Sequence, residues 1–171
     1  MQLPSTFHNT LFFDKSITSI RVDLTASLKD ILRTCSFTFD IAYVYYPDLT
    51  RPWELKGTVI PQLLELWQEQ KEKLHSLYKN RNRQAAHEPM VISMGYFVAF
   101  LFWTNETNVP GILNLEQEIK QLRIKPINIS ERLDFIMSKP DNYHSFVQLC
   151  QLFEEFTKQY YKSLLLMKKN P

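Results

Sequence analysis

Met90–Trp103 (MVISMGYFVAFLFW) runs for 14 residues without a charge, and any fold of this chain has to hide it from water. A membrane span needs about 20 such residues, whereas this run stops at Asn105-Glu106. A helix that is apolar all round yet short belongs in the middle of a bundle, so a buried central helix is predicted over Glu88–Trp103, with no membrane span. At 171 residues the chain can cover it with a core of its own, without metals or disulfides. Glycine occurs only 3 times, against roughly 12 at average usage. That scarcity argues against tight-turned sheets and glycine-rich phosphate cradles.

The rest of the pattern is helical. Leu24, Leu28, Ile31, Leu32, Cys35, Phe39, Ala42 and Tyr43 form one seam, with Asp23 as its cap and Pro47 as its limit. Phe37, Phe39, Ile41, Tyr43 and Tyr45 also alternate with period two, as a strand would. No second convincing strand exists to pair with them, so the helix is preferred. A clear helix covers Thr58–Asn80, with Pro61 in its first turn. NRNRQAAHEP breaks the pattern before the central helix, and a short helix through Leu115, Ile119 and Leu122 follows it. Asn128 and Glu131 have the spacing of a capping box for a helix that must stop before Pro140. Asp141 is expected to cap the last helix, which runs to about Lys168. The fold expected is an all-α single domain, residues 1–171, of six or seven helices around Glu88–Trp103. Residues 1–22 are partly irregular.

Chemistry is hard to place. The two cysteines, Cys35 and Cys150, sit 115 positions apart at apolar places in helical patterns and read as buried, reduced thiols. The first residues, MQLPSTFHNTLFF, lack the charged start and apolar run of a leader, and a cytoplasmic protein is expected. Glu72-x-x-His75 and Asp141-x-x-His144 echo di-iron spacing. On a helical wheel, however, Glu72 falls on the polar side of its helix and His75 at the seam's edge. No Gly-x-Ser-x-Gly elbow or His-Glu-x-x-His motif occurs. No catalytic residue, metal site or cofactor is therefore expected.

Two surfaces remain as binding candidates. The final helix carries Leu149, Leu152, Phe156 and Tyr160 as a stripe additional to its main seam, more width than one neighbour covers. Together with Trp53, which follows Pro52 in a loop, these residues form a candidate partner-binding surface. Lys71–Arg83 holds five Lys/Arg against one Glu, which makes Lys79, Arg81 and Arg83 candidate nucleic-acid contacts. The same cations also suit a helix C-terminus, and the overall balance of 20 basic to 18 acidic residues favours no polyanion.

Lys125–Lys158 (KPINISERLDFIMSKPDNYHSFVQLCQLFEEFTK), together with Arg51-Pro52-Trp53-Glu54 and Pro61–Trp67, resembles the YpoC-like family of uncharacterised proteins from Bacillus-type bacteria. The resemblance implies a soluble cytoplasmic protein and transfers no functional residue. The family's frequent placement beside a DNA-repair glycosylase bears on the nucleic-acid reading by association alone. The leading functional expectation is a non-catalytic module that binds a protein partner or a second copy of itself. Nucleic-acid association comes second, and an enzyme of unknown type third.

Overall fold

The computed structural model describes residues 1–169, which form seven α-helices and no strand. In chain order these are α1 (Leu28–Thr34), α2 (Thr38–Tyr45), α3 (Lys56–Lys79), α4 (Arg83–Thr104), α5 (Leu115–Gln121), α6 (Ile129–Ser138) and α7 (Tyr143–Lys169). α4 is the hub: α3, α7 and the short 3-10 turn Pro52–Leu55 pack on it, and every residue from Ser93 to Thr104 is buried. By length and composition α4 could cross a membrane, but 72% of its most apolar window lies inside the protein's own fold. The core runs from Leu3 near one end of the chain to Tyr160 near the other.

α4 begins at Arg83, five residues before the expected Glu88, because Asn82 caps it by accepting from the Ala85 N–H (3.2 Å). Pro89 costs the helix one hydrogen bond, to the Ala85 carbonyl, but Ala85 is exposed and water can serve there. The break between α3 and α4 thus shrinks to Asn80–Asn82, turned by Arg81 at φ 55°. Pro61 is also displaced from its expected place. α3 begins at Lys56, so Pro61 sits in the second turn and the missing bond falls on exposed Gly57.

The single helix expected from Leu24 to Pro47 is two helices. Asp23 spends its carboxylate on the Thr25 N–H and hydroxyl (2.9 and 2.6 Å), and Ser27 caps α1, accepting from the Asp30 N–H while its hydroxyl donates to the Asp30 carboxylate. The chain then goes extended at Cys35 (φ −159°) before α2 starts. That break lets Phe37 turn into a cluster with Phe7, Phe12 and Phe13. It also seats Ser36 on the only bare patch of α4, at Gly95. A Cβ added to Gly95 would lie 2.6 Å from Ser36 Oγ and 2.7 Å from Ser36 Cβ. Gly95→Ala should therefore lower stability by about 1–3 kcal/mol despite alanine's better helix propensity. Adding Ser36→Gly should recover most of that loss. Urea unfolding of the two single variants and the double variant measures the coupling, and simple additivity would show that the two residues do not press on each other.

Two expected caps are absent. Asn128 takes left-handed backbone (φ 54°) and its side chain caps nothing. The turn before α6 is held by Glu155 instead, which accepts from the Ile127 N–H (3.1 Å) and pairs with Arg132 (2.7 Å). At α7 Asn142, not Asp141, accepts from a first-turn N–H, that of His144 (3.0 Å). Asp141 is occupied by Arg83 (2.8 and 3.2 Å).

Candidate functional site

None of the five residues expected to face a partner lies on the surface. Leu149, Leu152, Phe156 and Tyr160 are fully enclosed, and Trp53 is 6% exposed. The broad apolar width of α7 is real, but α3, α4 and α6 all pack on this helix, so both stripes are consumed within the fold. Phe153 stacks on Trp67 (4.1 Å, 6°), while Phe156 and Tyr160 lie against Phe100. Trp53 meets Tyr43 edge-on (5.3 Å) and anchors its loop.

Sequence reasoning passed over a polar cluster at the C-terminal end of α4. Asp40, on α2, is completely buried. Its Oδ1 accepts from Trp103 Nε1–H (3.0 Å) and from the Val109 N–H (2.7 Å), while Oδ2 has no protein partner. Burial pushes its carboxyl up to about 7, opposed by those two hydrogen bonds. Lys56, also buried, donates to the Thr104 carbonyl (3.3 Å) and pairs with Glu106 (3.0 Å). Lys56 in turn accepts, at its backbone carbonyl, the Tyr160 hydroxyl (3.0 Å). Asn105 closes the helix, bonding Leu101 and both backbone groups of Ile124 (2.7–2.8 Å). Every one of these side chains except Glu106 is turned toward backbone or core. The cluster ties α2, α3, α4 and α7 together at one point, and its two buried ionisable groups are spent on that work.

An exposed apolar surface lies one step further along α7. Beyond Tyr160 the helix leaves the core, and Tyr161, Leu165, Leu166 and Met167 are 49%, 61%, 55% and 52% exposed. Leu166, Met167 and Ile124 line a groove of about 540 Å³, edged by Arg123 and Lys162. Arg123 and Lys162 are both exposed and have no acidic partner among the described residues. The sequence did carry a signal, Leu164-Leu165-Leu166-Met167, but a helical wheel does not show where the neighbours of a helix end.

Lys79, Arg81 and Arg83, the candidate nucleic-acid contacts, are exposed at the α3–α4 turn. Arg83 is committed to Asp141, and half-buried Lys71 lies away on α3, so the five cations do not form one continuous patch. Glu72 and His75 are exposed on α3, with His75 edge-on to Phe146 (5.0 Å), and no three metal-ligating side chains converge among the described residues. Cys35 and Cys150 are free thiols, raised by burial above the ordinary thiol range.

The family model for YpoC-like proteins matches residues 57–168, from the first turn of α3 to the last of α7. The chain belongs to the YpoC-like family. It is 31% identical over 150 residues to a curated protein of Bacillus subtilis (strain 168), named as the uncharacterized protein YpoC. That alignment covers 88% of this chain and 90% of the relative. No solved structure matches the chain. The YpoC-like span holds α4 whole and the α7 groove with both of its cations, while Asp40 lies outside it.

Proposed function

We propose that this YpoC-like protein is a cytoplasmic, non-catalytic module that acts by binding another protein chain. One observation carries the reading: the exposed apolar end of α7, where Leu166 and Met167 line a groove with Ile124, Arg123 and Lys162. A contiguous apolar surface rimmed by charge is the usual form of a protein docking site. Asp40 and Lys56, the two buried ionisable groups of the cluster at the end of α4, are engaged with backbone and neighbouring side chains. Two unpaired thiols suit a reducing compartment.

Photo-crosslinking in cells tests it. Leu166→p-benzoylphenylalanine should give a discrete protein adduct, whereas the same substitution at exposed Gln84 on α4 should give none. Absence of any adduct at Leu166, or identical adducts at both positions, would overturn the reading.

A further inference from the structure

We infer that the groove at the end of α7 receives an acidic amphipathic helix of a partner protein. The inference rests on the binding-module reading and goes further by specifying the chemistry of the occupant.

Charge decides between the possible occupants. From Lys158 to Lys169 the chain holds four lysines and no acid. Lys158 is tied to Glu154 (2.9 Å), but Lys162 and Arg123 stand unpaired on either side of the apolar floor made by Ile124, Leu166 and Met167. A second copy docking by the same face would bring lysine against lysine, which disfavours self-pairing. A segment with carboxylates flanking its apolar stripe would meet cations on both edges. The groove of about 540 Å³ between α7 and the Arg123–Ile124 turn is open to solvent and can seat a few aliphatic side chains. An inserted helix presents such side chains at i, i+3 and i+4.

The test uses the full chain labelled for NMR and two synthetic helical peptides. Both carry leucines spaced three and four apart, one with flanking glutamates and the other with lysines in their place. The glutamate peptide should bind, with shifts centred on Arg123, Ile124, Lys162 and Leu166, and its affinity should fall as salt rises. Arg123→Glu with Lys162→Glu should weaken it by about tenfold or more. Arg123→Gln with Lys162→Gln serves if charge reversal disturbs the fold, as judged by circular dichroism. Equal binding of the lysine peptide, an unchanged affinity in the double variant, or uptake by phosphatidylglycerol vesicles without peptide binding would each overturn the inference. So would shifts produced by self-association alone, seen as a rising mass in light scattering. In each of those cases a Leu166 crosslink to protein would leave the broader reading standing, and only its absence would remove that as well.

Discussion

Asp40→Ala should lower the unfolding free energy by about 2–5 kcal/mol at pH 5, because it strands two buried donors, Trp103 Nε1–H and the Val109 N–H. Asp40→Asn keeps an acceptor at Oδ1 and should cost far less. The two variants also separate hydrogen bonding from charge. The Asp40 carboxyl titrates near 7 in the fold and near 3.8 unfolded, so between those values the folded protein holds the extra proton. Stability attributable to this group is then greatest in acid and declines as pH rises toward 7, after which it is level. The wild type should lose about 2–3 kcal/mol from pH 5 to pH 8 relative to Asp40→Asn. Urea unfolding at both pH values measures it. Parallel pH profiles for wild type and Asp40→Asn would show that burial does not perturb this carboxyl.

Phe100→Ala should cost about 3–5 kcal/mol, the range for truncating a fully enclosed aromatic side chain. Phe100 is one of two α4 rings that meet α7, with Phe97: its ring lies 4.6 Å from Phe156, 5.8 Å from Tyr160 and 6.1 Å from Phe153. Removing it leaves those three rings without their common neighbour, and close-packed aromatics collapse poorly into the space. Tyr161→Ala, one residue beyond Tyr160 but half in solvent, should change stability by no more than about 0.5 kcal/mol. Denaturant midpoints decide it. A Phe100→Ala loss near that of Tyr161→Ala would mean that the Phe100 ring does not hold α7 against α4.

How much of this was readable beforehand depended on which interactions were local. The uncharged run of α4, the three-and-four spacing of α3 and the seam of α7 are written in adjacent residues, and all three helices formed, α4 starting five residues and α3 two residues earlier than expected. The break between α1 and α2 seats Ser36 on Gly95, 59 positions away, and no window of sequence contains both. Asn128 had a capping partner at the right spacing, yet Glu155, on another helix, holds that turn from outside. The partner-facing stripe failed for a related reason. A wheel gives the angular width of an apolar face but not the number of neighbours, and α7 has three. Asp40 was invisible because a lone acid in an aromatic-rich seam resembles a solvated residue until Trp103 and Val109 are placed beside it.

The bond between Asp40 and Trp103 also bears on where this protein can be cut. The family model begins at residue 57, which tempts one to express 57–168 as a minimal unit. Such a fragment would lose Asp40, Lys56 and Trp53, leaving the Trp103 indole and the Thr104 carbonyl without the partners they have in the whole chain. The family-model boundary therefore cuts through this polar cluster, and the leading third of the polypeptide supplies the buried groups that the C-terminal end of α4 bonds to.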